Sequence, residues 1–227
     1  MESVIARLKA LQELPYKQFM ENLLPTVPPE QILGVRLPHL RKLAAQLERE
    51  GAARDFLRQL PHFYLEENHL HSFLVDRLCK TYEDALRETE IFLPYVDNWA
   101  LCDSFRPHAL RQKPDALWGQ IQLWLQSSRL YTVRLGLVLL LNWFLTDAFR
   151  PEMPEIVSRI QSEEYYVNMA VSWYFSMALV KQYDAALPYL LEHRLSPWIH
   201  NKSIQKATES LQLIPETKAY LRTLKIS

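Results

Sequence analysis

The sequence predicts an all-α fold, a stack of helical hairpins, from three observations. It holds only four glycines in 227 residues, its apolar positions recur with a period near 3.6 over most windows, and its prolines fall between the periodic segments. Glycine scarcity leaves few of the tight turns that a β-protein needs. Pro15, Pro38, Pro61, Pro94, Pro107, Pro114, Pro151, Pro154, Pro188, Pro197 and Pro215 punctuate the chain. A proline opens a helix or follows its end, so roughly a dozen helices are expected. A 48% hydrophobic share suits one sizeable domain over residues 1–227 with a full core.

The first residues, MESVIARLKALQEL, alternate charged and apolar side chains at helical spacing. They are expected to start a helix and lack the apolar run and cleavage site of a signal peptide. The longest apolar stretch, Leu135 to Leu141 extended through Trp143 and Phe144, is about half of the roughly 20 residues that span a bilayer, so it reads as a buried core helix and no membrane is expected. Cys79 and Cys102 suggest neither a disulfide framework nor a zinc site, which points to a reducing, cytoplasmic setting.

Lysine plus arginine equals aspartate plus glutamate, 26 each, so net charge does not argue for nucleic acid. The distribution is more informative. Residues 1–61 carry +2, 62–105 −6, 106–150 +4, 151–195 −3 and 196–227 +3. A solenoid can sort such alternating blocks into a basic concave face and an acidic back.

An internal repeat supports that architecture. The segments WALCDSF from Trp99, RLGLVLL from Arg134, NMAVSWY from Asn168 and NKSIQKA from Asn201 start 35, 34 and 33 residues apart. Three carry a small residue two positions in, Gly136, Ala170 and Ser203, where stacked helices come close. The tetratricopeptide pattern is absent, so a short HEAT-like repeat fits better, and a curved solenoid is expected whose second helices line the concave face. Positions 99, 134, 168 and 201 should then run in a row along that face.

That row holds groups with chemistry. Trp99 and Asp103 are four apart and share a helix face. Arg134 holds the next position, and Trp173 lies five residues past Asn168. Each also has a bland role available: the tryptophans as core, Asp103 as a cap or a partner for Arg106, Arg134 as a stem over apolar surface. Periodicity alone leaves binding groove and scaffold both open.

These residues resemble, over nearly the whole chain, the AlkD-type alkylpurine DNA glycosylases of the HEAT-like repeat superfamily. Four ordered landmarks carry the likeness: ILGVRLPHLRKLA from Ile32 to Ala44, the pair Trp99 and Asp103, Val133 with Arg134, and the helix containing Trp173. The resemblance implies that Asp103, Trp99 and Trp173 face the damaged nucleotide as the catalytic set, and that Arg134 holds the DNA backbone. Lys202 and Lys206, in the repeat that starts at Asn201, are expected to contact DNA in the same way. One departure is Ser176 and Met177, where better-known members carry an Arg-Glu pair.

The implied activity is hydrolysis of the N-glycosidic bond of cationic N-alkylated purines in duplex DNA, with no base-flipping pocket. The protein would be a monomer with no cofactor and no metal. Alternatives are a non-catalytic binder of damaged or branched DNA and a HEAT scaffold for a protein partner. His69 and His71 read as core or surface histidines rather than ligands, and Glu66 to Asn68 as a solvated helix start. No Gly-rich phosphate loop, Gly-x-Ser-x-Gly elbow or His-Glu-x-x-His helix occurs.

Overall fold

In a computed structural model of the chain, which describes residues 3–226, those residues form fourteen α-helices and no strand. They divide into two compact units, the first ending at Leu117 and the second beginning at Trp118.

The first unit contains α1 (Val4–Ala10), α2 (Leu14–Leu23), α3 (Leu37–Arg49), α4 (Ala53–Leu57), α5 (Leu65–Leu78), α6 (Tyr82–Phe92) and α7 (Trp99–Ser104). Several starts follow from local chemistry. Ser3 and Thr81 accept the Ala6 and Asp84 amides with their hydroxyl oxygens, each at 3.2 Å, and so cap α1 and α6. Pro15 and Pro38 sit in the first turns of α2 and α3, where no N–H is needed. Leu40, Leu43 and Leu47 on α3 pack with Leu8, Phe56, Leu70 and Leu74 into one core cluster. A second cluster joins Met20, Leu24, Val27, Ile32 and Leu65, with Trp99 against it.

Helix α5 corrects the expectation of a solvated start. It does begin at Leu65, but Glu66, Glu67 and Asn68 are buried, as is every residue through Val75. Glu66 accepts three loop amides: Leu33 at 3.0 Å, Gly34 at 2.7 Å and Val35 at 3.1 Å. Glu67 accepts those of Tyr64 at 2.9 Å and Phe63 at 3.2 Å. Carboxylates can be buried here because each meets backbone donors that would otherwise lack partners.

Helix α8 (Pro114–Trp124) runs across the division. The second unit continues with α9 (Leu130–Leu139), α10 (Glu152–Ser158), α11 (Tyr165–Lys181), α12 (Tyr183–Leu191), α13 (Pro197–Glu209) and α14 (Pro215–Thr223). Helix α11 packs against both α9 and α13, the second helices of successive hairpins. The repeat's small residues are buried, Gly136 at a close approach to the end of α8 and Ala170 and Ser203 within the interior. A Cβ on Gly136 would come within 3.0 Å of Leu125, and Ala170 and Ser203 have no exposed surface.

The apolar stretch from Leu135 is buried, as read from sequence, and α9 leads directly into a π-helical segment, Leu140–Phe144. The Asn142 side chain donates to the Val138 carbonyl at 2.7 Å, which supplies a partner where the helical register widens. Pro188 departs from the punctuation rule, since it lies inside α12. Pro154 likewise falls inside α10 rather than between helices, within its first turn, where a missing N–H costs little. No helix among the described residues is long and apolar enough to cross a membrane, and Cys79 and Cys102 are buried and form no disulfide.

Candidate functional site

In the first unit the candidate residues are Trp99 and Asp103 on α7. The buried Asn98 opens this helix by accepting the Leu101 amide at 2.9 Å, which makes Trp99 its first residue and sets Asp103 one turn on. Both side chains are partly exposed. Beneath Trp99 lie Ile32, which precedes the loop that Glu66 pins, and Leu65, which precedes Glu66 on α5. The far end of α7 is also tied down. The Ser104 hydroxyl donates to the Leu101 carbonyl at 2.9 Å and therefore accepts from Nδ1 of His69, 3.1 Å away. His69 is fully buried, and that burial, with the charge of Arg41, pulls its pKa down to about 4, so the ring is a neutral strut.

The Ile32–Ala44 segment acquires a physical meaning at the same place. Gly34 has φ +86°, and an added Cβ would lie 2.6 Å from the backbone nitrogen of Lys17. Val35 is core, Pro38 starts α3, and Arg41 lays its guanidinium over the Phe73 ring, 4.6 Å from the centroid. Glycine, valine, proline and arginine thus each have a distinct local role, and Gly34 alone is demanded by both backbone angle and space. Sequence reasoning missed Glu66 and the His69 strut. Their only signal is that α5 carries Glu66, Glu67, His69 and His71 with no polar face to put them on.

His69 and His71 are core histidines. His71 stacks on Phe92 with centroids 4.1 Å apart and shares a 3.0 Å hydrogen bond with His62, whose ring lies on Phe56. Burial lowers His62 to about 4 and His71 to about 3, so this pair is neutral too.

In the second unit the candidates are Arg134 on α9, Trp173 on α11, and Lys202 and Lys206 on α13. The Lys206 ammonium stands 6.0 Å from the Trp173 ring centroid, which brings two of the four together. Lys202 lies one turn before Lys206 and reaches Gln205 at 3.0 Å. Arg134 is only 4% exposed, and its guanidinium donates to the Tyr166 carbonyl at 2.7 Å. The corresponding Asn168 donates to the Ser162 carbonyl at 2.8 Å and Asn201 to that of Ile226 at 2.7 Å. Positions 134, 168 and 201 are therefore equivalent in use: each carries a polar side chain that ties backbone to its helix.

Charge on these helices is one-sided. Helices α9, α11 and α13 carry Arg134, Lys181, Lys202 and Lys206 against a single acid, Glu209, at the end of α13. Ser176, one turn past Trp173, is buried and donates to the Trp173 carbonyl at 2.8 Å, a place with no room for a long charged side chain. A cavity of about 550 Å³ opens beside the starts of α9 and α11, and one of about 280 Å³ beside α1 and α4. None of Trp99, Asp103, Arg134, Trp173, Lys202 and Lys206 lines either.

No curated protein matches the chain. The model of one protein family, described as DNA alkylation repair enzyme, matches residues 4–208. With that span covered, the chain belongs to the DNA alkylation repair enzyme family.

Proposed function

We propose that the protein is a DNA glycosylase that hydrolyses the N-glycosidic bond of cationic N-alkylated purines in duplex DNA, as a cytoplasmic monomer that needs neither metal nor cofactor. The observation that carries this reading is a carboxylate on a braced helix. Asp103 lies one turn from Trp99, both are partly exposed, and α7 is fixed by the Asn98 cap at one end and the His69–Ser104 bond at the other. A charged group held in place before the reaction stabilises developing charge without having to reorganise.

The chemistry needs little more. A purine alkylated on a ring nitrogen is already cationic, so it leaves without a general acid. Its departure puts positive charge on the deoxyribose, and Asp103 lowers that barrier electrostatically, as a carboxylate does in glycoside hydrolysis. The rings of Trp99 and Trp173 each offer an electron-rich face suited to positive charge, worth about 0.5–2 kcal/mol. Trp173 already faces one cation, Lys206. Lys202 and Lys206 contact phosphates on an almost acid-free set of helices. Arg134 enters this reading chiefly as the brace under the start of α11. This reading requires no flipping pocket, since the base is already cationic and needs no enclosing acid to leave.

The buried Ser176 favours a second reading, a non-catalytic binder of damaged or branched DNA, because the charged pair that better-known members carry past the tryptophan has no counterpart here. Release of methylated purines from alkylated duplex, by wild type and Asp103→Asn, separates the two. The glycosylase reading expects release by wild type and a loss of roughly 10²–10³-fold in the variant with DNA affinity kept. Binding without release by wild type supports the second reading, and equal release by both proteins removes Asp103 from catalysis.

A further inference from the structure

Four aromatic side chains form an unbroken chain of ring contacts across the first turns of α9, α11 and α13. Tyr131 meets Tyr166 with centroids 6.4 Å apart, Tyr166 meets Tyr165 at 5.3 Å, and Tyr165 meets Trp198 at 5.8 Å. Tyr165 is 56% and Trp198 43% exposed, and the other two are partly exposed. Large aromatic rings are the costliest groups to leave in water, so a connected row of them at the surface calls for an occupant.

The row is in register with the repeat. Tyr131, Tyr165 and Trp198 each lie three residues before Arg134, Asn168 and Asn201, on the same helix faces and one turn nearer the helix starts. It is also continuous with the basic surface. On α13 the face that begins at Trp198 continues through Lys202 to Lys206, which covers Trp173, so about 12 Å separates the aromatic end from the Trp173–Lys206 pair.

We propose that this stripe is a stacking platform for unpaired nucleotides of DNA, a site beyond the duplex contacts; the proposal rests on the DNA-binding reading above. Every base has a face that stacks on an aromatic ring, so such a row binds single strands with little sequence preference, while cations beside it hold the phosphates. Here the cation is Lys202, one turn along from Trp198. The acids nearby, Glu163 and Glu164, precede Tyr165 in the loop, which directs the phosphates to the α13 side. The exposed rings of Tyr165 and Trp198 make the main contacts. Tyr131 and Tyr166 extend the platform.

The test is fluorescence polarisation of the full chain with a labelled blunt duplex and with the same duplex bearing an unpaired tail of six thymidines. Wild type should prefer the tailed DNA. Tyr165→Ala with Trp198→Ala should remove the preference, roughly tenfold in affinity for each ring lost, with blunt-duplex binding and melting temperature unchanged. Tyr165→Phe with Trp198→Phe should keep it, since stacking needs the ring and not its polar atom. No tail preference in wild type, or a preference that survives the alanine pair, overturns the platform while leaving duplex binding intact. Wild type that binds neither DNA overturns the DNA reading and the platform with it. A stripe that ignores the tail yet binds a proline-rich peptide, lost in the alanine pair, would be a protein-docking surface and would also overturn the proposal.

Discussion

Gly34 and Glu66 are joined by a 2.7 Å hydrogen bond from the glycine amide to a buried carboxylate, the shortest of three that fix the loop beneath Trp99. Removing the acceptor leaves three amides without a partner in the protein interior, and hydrogen bonds to a charged group are the costly ones to lose. Glu66→Ala should therefore destabilise the protein by about 3–5 kcal/mol in urea unfolding. Glu66→Gln should recover part of this, because one oxygen still accepts. A loss under about 1 kcal/mol for the alanine variant would mean that the clamp is not what holds the loop.

The two glycines with positive φ should respond differently to alanine. Gly51 has φ +74° and nothing within 4 Å of an added Cβ, so Gly51→Ala should cost only about 1 kcal/mol of backbone strain. Gly34 adds a clash with Lys17 on α2, whose backbone N and Cα and side-chain Cβ lie 2.6–2.7 Å from an added Cβ. Gly34→Ala should cost about 3 kcal/mol or more. Equal melting temperatures for the two variants would contradict the close approach.

Stability should fall in mild acid. His62, His69 and His71 titrate at about 4, 4 and 3 in the folded protein, whereas an unfolded histidine titrates near 6.5. Between those values the unfolded chain binds more protons, so the stability present above about pH 6.5 is lost as the pH falls toward 4, at up to about 1.4 kcal/mol per pH unit for each histidine. His69→Asn keeps a donor for Ser104 and removes one titration. It should lower the slope of stability against pH by about a third, measured by urea unfolding at several pH values from 7.5 to 5.

Lys202, Lys206 and Arg134 should divide by burial. A partly exposed lysine on a phosphate releases a counterion, so Lys202→Ala and Lys206→Ala should each make the slope of log affinity against log salt shallower by about 0.9. Arg134, 4% exposed and bonded to the Tyr166 carbonyl, should act mainly through the fold. Arg134→Ala should lower the melting temperature and leave the salt slope nearly unchanged. A slope reduced by 0.9 at normal stability would instead assign Arg134 to a phosphate.

Helix content, hairpin period and close-packing residues were all readable from the chain, because each depends on near neighbours. Low glycine content limits turns, proline breaks occur locally, and the 33–35-residue spacing recurs in sequence, so Gly136, Ala170 and Ser203 could be placed in packing before any fold was known. The pair Trp99 and Asp103 was legible for the same reason, being one turn apart on one helix. What lay beyond reach depended on partners distant in sequence. Glu66 and Glu67 look like a solvated helix start until the loop amides 32 positions away from Glu66 close on it. Arg134 looks like a surface cation until the carbonyl of Tyr166, 32 residues on, takes its guanidinium. A charged side chain's solvation is decided by whichever donors or acceptors the fold delivers to it, and that delivery is a property of tertiary structure alone.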